Sequence, residues 1–159
     1  MAWPTWLPLR ETLRPLSPYG APQVPARASL NTNENPYPPS IGLQKAITDA
    51  VAKVASNLNR YPDRDATVLR AKLASYINEQ NATKFSEENI WAANGSNEII
   101  QSIFLAFAQG PVLGFTPSYS MHPLIAKTTG AQWIDGKRNA DFSLNTADAV
   151  SEILKHKPT

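Results

Sequence analysis

The stretch WAANGSNEIIQSIFLAF, residues Trp91 to Phe107, places the polar turn Gly95-Ser96-Asn97 between two apolar segments. A short apolar run, a polar turn and a helical stretch in that order are typical of the strand–turn–helix joint of an α/β layer. The first turn of a helix exposes unpaired backbone N–H groups and partial positive charge. Ser96 or Asn97 can cap such a turn, and a phosphate can bind there instead. The stretch alone leaves both interpretations open.

Outward from this turn, apolar runs and helical patterns alternate along the chain. Short apolar runs predict strands at Ile90–Ala93, Pro111–Phe115 and Ala131–Asp135. Apolar periodicity predicts helices at about Ile41–Asn57, Asp65–Gln80, Asn97–Ala108, Tyr119–Gly130 and Thr146–His156. This alternation predicts an α/β fold with a mostly parallel sheet and flanking helices. Three short strands make a small sheet, so we expect the chain to be the front part of a larger protein.

The N-terminal segment has a different composition. Six of the 14 prolines fall within residues 1–25, which predicts an extended arm because proline fixes φ and removes a backbone donor. We assign residues 1–30 to this arm and 31–159 to the α/β domain. Trp3, Trp6 and Leu7 make the arm apolar. It is therefore expected to lie on a protein surface, such as that of a partner subunit.

Composition excludes several classes of protein. The 159 residues carry a formal charge of +2 with scattered basic residues, which argues against a nucleic-acid-binding protein. There is no cysteine, and His122 and His156 lie on separate predicted helices, so no metal site is expected. No apolar run reaches the roughly 20 residues of a membrane span. The start of the chain, interrupted by proline and Glu11, is unlike a signal peptide. We expect a cytoplasmic protein.

Two loops follow predicted strands and would meet at one edge of a parallel sheet. The first is the Gly95–Asn97 turn, and the second contains Tyr119. Ligands of open α/β sheets bind beyond the carboxyl ends of the strands. Helix-start N–H groups beside an aromatic ring suit a planar phosphorylated cofactor. An N-cap turn with an interface tyrosine explains the same residues.

Four motifs in register indicate a family. LNTNENPYPPS, NLNRYPDRDATVLRAKLASYI, NGSNEIIQSIFLAF and GFTPSYSMHPLIAKTTGA occur in that order. Together they resemble the front portion of the histidinol-phosphate aminotransferases, within the fold-type I pyridoxal-phosphate (PLP) enzymes. The opening LPLRETLRPLSPYGAPQ is similar to the N-terminal arm of that family. The resemblance covers nearly the whole chain and implies an incomplete PLP-dependent transferase large domain.

The resemblance implies a role for each matching cofactor residue. Gly95, Ser96 and Asn97 match the turn whose N–H groups bind the PLP phosphate, and Tyr119 matches the residue that stacks on the pyridine ring. Tyr61 matches the tyrosine that reaches the phosphate in the neighbouring subunit of a homodimer.

For the substrate, the resemblance implies three further residues. Tyr19 matches an arm tyrosine that helps to bind the substrate phosphate across the dimer, and Asn33 and Glu34 match the loop that walls the pocket. The implied reaction transfers the amino group of histidinol phosphate to 2-oxoglutarate, in histidine biosynthesis.

The catalytic centre of the family has no counterpart in this sequence. Transamination uses a lysine that forms a Schiff base with PLP, and none of the eight lysines here lies in the family's Ser-Lys motif. We therefore assign no catalytic lysine and expect the chain alone to be inactive. The link between Gln109 and Val112 is also shorter than is usual, which leaves the strand register and the height of Tyr119 open.

Two alternatives remain at this point. One is another PLP enzyme of the same scaffold, an aromatic aminotransferase or a threonine-phosphate decarboxylase. The other is a truncated, non-enzymatic remnant.

Overall fold

A computed structural model describes residues 3–17, 20 and 24–159 of the chain. Its helices and strands are α1 (Ile41–Val54), α2 (Thr67–Asn81), α3 (Ser96–Phe107), β1 (Val112–Thr116), α4 (Met121–Thr129), β2 (Trp133–Lys137) and α5 (Thr146–His156). Single 3-10 turns occupy Glu11–Leu13, Ala55–Asn57 and Glu87–Asn89. The predicted helices are all present, and the α/β class with a parallel sheet is confirmed. None of the described helices is long and apolar enough to cross a membrane.

The described sheet consists of β1 and β2, which pair in parallel with α4 between them in the chain. The register runs without a bulge from Val112 opposite Trp133 to Thr116 opposite Lys137. The short link before β1 therefore leaves the strand pairing regular. The α4 helix ends at Gly130, whose φ of 92° is in the left-handed region that glycine adopts readily.

The strand predicted at Ile90–Ala93 is absent, and that prediction was wrong. Ile90 has extended dihedral angles, φ −111° and ψ 128°, as its apolar run suggests. Residues 90–93 nevertheless form no ladder with another described segment. A strand needs a hydrogen-bonded neighbour as well as extended geometry, and local sequence specifies only the second.

The described residues divide into two compact units. One contains residues 3–16 and 69–159, and the other contains 17, 20 and 24–68. In the first unit the core consists of five buried apolar residues, listed from α2 to α5: Ala74, Val112, Ile125, Ala126 and Ala149. Also in this unit, α3 packs against α4, and the Glu11–Leu13 turn contacts α4. Arg10 donates to the main-chain oxygen of Thr128 at the end of that helix.

The second unit consists mainly of α1 and the loops on either side of it. Ser40 caps α1 by accepting a hydrogen bond from the amide of Leu43 at 3.2 Å. Apolar residues recur along one face of this helix, and the large ones are at least half exposed, among them Leu43 (51%), Ile47 (51%) and Val51 (55%). An amphipathic helix is stabilised mainly by burial of its apolar face, so α1 carries an uncovered surface.

Candidate functional site

The start of α3 is an open cluster of backbone donors. Gly95 is the residue before the helix, with φ 79° and ψ 173°, and no side chain caps the first turn. Its own N–H donates to the main-chain oxygen of Ala93 at 2.8 Å. The amides of Ser96, Asn97 and Glu98 make no hydrogen bond to another described residue. This turn therefore presents three unpaired N–H groups, the arrangement that binds anions at helix starts.

The polar side chains near this turn do not cap the helix. Glu98 accepts a hydrogen bond at Oε2 from the amide of Asn94 at 2.8 Å, so its carboxylate bends back over the entry to the helix. The Oδ1 atom of Asn97 is buried and has no hydrogen-bond partner among the described residues. Buried polar atoms in folded proteins are nearly always paired. The Asn97 oxygen therefore marks a place where a donor is still required.

The segment that leads into this turn is anchored by α2. Arg70 donates from Nε to the main-chain oxygens of Ile90 (2.8 Å) and Glu87 (3.0 Å), and from Nη2 to Glu87 again. Asn78, two helical turns later, donates to the oxygen of Phe85 at 2.8 Å and accepts from the amide of Phe85 at 2.7 Å. These side chains hold residues 85–90, including the 3-10 turn at Glu87–Asn89, against α2.

Tyr119 lies in the loop between β1 and α4, and its side chain is half exposed (49%). The ring meets His122 edge-on, with centroids 5.5 Å apart and planes at 84°. The amide of His122 donates to the main-chain oxygen of Tyr119 at 3.2 Å, and Nδ1 of His122 lies 3.4 Å from Oγ of Ser118. On its other side, His122 lies 6.5 Å from the indole ring of Trp133 in β2.

The structure brings two of the predicted groups into one unit. The helices that follow them, α3 and α4, pack together, although no hydrogen bond or ring contact among the described residues joins Tyr119 to the Gly95–Asn97 turn. Tyr61, Asn33 and Glu34 belong to the other unit, where all three are exposed and Tyr61 completely so (101%). Tyr19 lies outside the described residues.

A separate open groove of about 650 Å³ lies between β2 and α5. Asp135, Lys137, Glu152 and His156 are among its lining residues, and none of the predicted site residues is. Glu152 pairs with His156 at 3.1 Å and with Lys155 at 3.4 Å. The part of the chain that the structure describes contains no cluster of side chains suited to holding a metal ion.

Comparison with protein families identifies the scaffold. Residues 28–159 match the model of the family described as aminotransferase class I and II. The chain belongs to the class I and II aminotransferases. The match includes the α3 turn, the Tyr119 loop and Tyr61, so all three are parts of the aminotransferase domain.

Similar proteins include three sequences named histidinol-phosphate aminotransferase. The identities are 50% with that of Nocardia farcinica, 52% with that of Frankia casuarinae and 53% with that of Thermobifida fusca. These alignments cover 96–98% of this chain but only 40–41% of each relative. The aminotransferase chain described here thus spans about two fifths of the length of its relatives.

The fold is also similar to a solved protein from Burkholderia pseudomallei that was assigned as an aminotransferase. The TM-score is 0.57 at 21% sequence identity, over 75% of this chain and 34% of that one. At this identity the similarity concerns the fold alone. It agrees with an incomplete α/β domain of the aminotransferase type.

Sequence reasoning about this aminotransferase missed the surroundings of its site. His122 lies in the first turn of α4, and its ring also contacts Tyr119, a contact that was not predicted. The spacing of three residues in a helical segment could have suggested that contact. The contact with Trp133 and the anchoring by Arg70 could not be predicted, because each joins a residue to a distant segment.

Proposed function

We propose that this chain is the N-terminal part of a histidinol-phosphate aminotransferase, a cytoplasmic enzyme of histidine biosynthesis that transfers the amino group of histidinol phosphate to 2-oxoglutarate. The observation that carries this proposal is the identity of 50–53% with relatives of that name over almost all of this chain. The alignment includes both loops at the candidate site.

The proposed cofactor is PLP, with its phosphate at the start of α3. The unpaired amides of Ser96, Asn97 and Glu98 and the Ser96 hydroxyl fit a phosphate, because a single anion can accept from several of them and benefits from the helix dipole. Gly95 also fits this site, because glycine adopts the positive φ with which the chain enters the helix. It has no side chain that could cover the N–H donors. When bound, PLP supplies the electron sink that carries an amino group between two substrates.

Tyr119 is proposed to hold the cofactor's ring. Its half-exposed side chain leaves ring surface on which a flat heteroaromatic group can stack face to face, and the His122 ring makes a T-shaped contact with it. Stacking would orient the ring and exclude water from that face. The turn and Tyr119 would thus bind opposite ends of one planar phosphorylated molecule.

Residues of the second unit are proposed to act across a homodimer interface. Tyr61 is fully exposed, and the apolar face of α1 is uncovered, as expected for a surface that another subunit contacts. In this proposal Tyr61 reaches the phosphate of the neighbouring subunit's cofactor. Tyr19, Asn33 and Glu34 contact the phosphorylated substrate.

No lysine of this chain is proposed to be catalytic. All eight lysines are exposed, whereas a lysine that reacts with a cofactor aldehyde is normally desolvated or placed beside a cationic group. We therefore expect no amino transfer by the isolated chain.

The phosphate site is tested by changing one donor at a time. Proline is tolerated at the first helical position, so Ser96→Pro removes the Ser96 amide while keeping α3. Loss of one hydrogen bond to a charged group, about 1.5–3 kcal/mol, predicts a dissociation constant for phosphate roughly 10- to 100-fold higher, measured by calorimetry. Ser96→Pro also removes the Ser96 hydroxyl, so Ser96→Ala, which removes the hydroxyl and keeps the amide, is the matched control, and the difference between the two variants gives the contribution of the amide. Equal affinity of the wild type and Ser96→Pro would contradict the proposed site.

The reaction is tested in a chimera in which this chain replaces the matching segment of the Thermobifida fusca relative. We expect amino transfer from histidinol phosphate to 2-oxoglutarate, with weaker activity on phenylalanine and no decarboxylation of threonine phosphate. A preference for phenylalanine or threonine phosphate would assign the chain to another PLP enzyme. A folded chimera without any activity would support a non-enzymatic remnant.

A further inference from the structure

Three aromatic rings from three different segments contact one another in a row beside the proposed cofactor site. Tyr119 is in the loop after β1, His122 is in the first turn of α4, and Trp133 begins β2. The ring centroids of Tyr119 and His122 are 5.5 Å apart, and those of His122 and Trp133 are 6.5 Å apart. The half-buried histidine thus lies between a half-exposed tyrosine and a half-buried tryptophan.

Trp133 is fixed against the sheet. A Cβ atom added at Gly114 of β1 would lie 2.5 Å from Cζ2 of Trp133, so the indole occupies the space that a side chain there would fill. Its Nε1 donates to Oδ1 of Asp135 at 2.6 Å. The strand pairing and this hydrogen bond leave the indole little freedom, and the sheet therefore sets its position.

His122 is held from the other side by the loop. Its amide donates to the main-chain oxygen of Tyr119, and its Nδ1 atom lies 3.4 Å from the Ser118 hydroxyl. The imidazole ring of His122 is nearly perpendicular to the Tyr119 ring, which is a geometry that aromatic pairs prefer.

We propose that His122 and Trp133 are positioning residues that fix the orientation of the Tyr119 ring. A half-exposed tyrosine without such a contact exchanges among its rotamers, and each exchange removes the ring from a ligand's plane. The pair His122 and Trp133 selects one orientation and leaves the exposed part of the Tyr119 ring available to a flat heteroaromatic ring. This inference rests on the proposed function, because the ligand it concerns is the pyridine ring of the cofactor.

The first test needs no ligand. Three-bond couplings between Hα and Hβ of Tyr119, measured by NMR on the full chain, should show one dominant rotamer. In His122→Ala the Tyr119 side chain should exchange among rotamers, so the couplings should take averaged values. His122→Phe, which keeps a ring at this position, should preserve the couplings of the wild type. His156→Ala is the matched control, since the other histidine pairs with Glu152 on α5. Unchanged couplings in His122→Ala would overturn the proposal, whatever the ligand measurements give.

Gly114→Ala approaches the same contact from the sheet. Its methyl group would displace the Trp133 indole, so the Tyr119 couplings should average although neither Tyr119 nor His122 is changed. Retained couplings together with a shifted Trp133 indole signal would show that Trp133 does not position the tyrosine. His122→Ala remains the deciding variant if Gly114→Ala does not fold.

The second test uses pyridoxamine 5′-phosphate, which has the cofactor's ring and phosphate but no aldehyde to react with surface lysines. His122→Ala should weaken its binding about two- to tenfold, the effect of one aromatic contact, and leave binding of inorganic phosphate unchanged. Equal loss of both ligands, or of neither, would overturn the positioning role. If the wild type binds neither ligand while the rotamer result holds, the proposed function fails and the positioning of Tyr119 stands.

Discussion

Arg70 of α2 donates from Nε to the main-chain oxygen of Ile90 at 2.8 Å, and this bond links a helix to the chain just ahead of the Gly95 turn. The same guanidinium also binds Glu87. The 3-10 turn at Glu87–Asn89 and the extended residue Ile90 that follows it are thus held by one side chain.

We predict that Arg70→Ala lowers stability by about 1–3 kcal/mol, because two main-chain acceptors lose a charged donor. Hydrogen exchange at Trp91 to Asn94 should accelerate in this variant, while exchange in β1 changes little. Lys72→Ala is the control, since Lys72 is an exposed residue of the same helix. Unchanged exchange at residues 91–94 would show that Arg70 does not anchor the turn.

Gly136 of β2 is buried beneath the ring of Phe115 on the paired strand. A Cβ atom at this position would lie 2.6 Å from Cδ1 of that ring, so Gly136→Ala should force the ring to move. We predict a loss of about 1–3 kcal/mol of stability in urea unfolding, as is usual for overpacking. Gly42→Ala is the matched control, because no atom lies within 4 Å of a Cβ there and alanine favours a helix. Equal stability of the two variants would contradict the contact.

Gly130 terminates α4 in the left-handed region, and a Cβ atom there would lie 3.0 Å from Nη1 of Arg10. We predict that Gly130→Ala costs about 1–2 kcal/mol, the cost of a left-handed conformation in an L-residue. Gly130→Asn should lose less, because asparagine tolerates this conformation better while carrying the same Cβ. Thermal unfolding of the three proteins measures both effects, and a larger loss for asparagine would indicate that crowding against Arg10 dominates.

The pKa of Asp141 is lowered by hydrogen bonds that its carboxylate accepts from Ser143, first from the hydroxyl (2.7 Å) and then from the amide (3.0 Å). These bonds stabilise the ionised form, so their contribution to folding is present above the unfolded-state pKa and is lost as pH falls through the lower, folded-state pKa. Ser143→Ala removes the larger cause. We predict that the pH midpoint of the Asp141 carboxyl titration, followed by carboxyl ¹³C NMR, rises towards the ordinary range for aspartate in this variant. An unchanged midpoint would contradict the assigned cause.

Several features of the aminotransferase fold follow from short-range sequence patterns. The spacing of apolar residues predicted all five described α-helices, and Gly130 marked the end of α4, because helix propensity and termination depend on neighbours within a few turns. The order of strand, helix and strand predicted the parallel pair of β1 and β2. The residues Gly95 to Asn97 and Tyr119 were likewise found from their places at the ends of predicted elements.

Only the tertiary structure decided which of these segments meet. The run at Ile90 to Ala93 predicted a strand, but a ladder needs a partner, and α2 supplies Arg70 in its place. His122 lies on a predicted helix, whereas its contact with Trp133 depends on the strand pairing that lays the indole over Gly114. The sequence by itself thus determined the helices, the parallel strand pair and the places of the Gly95–Asn97 turn and Tyr119 in the loops between elements. The structure decided what holds them, because those contacts join residues far apart in the chain.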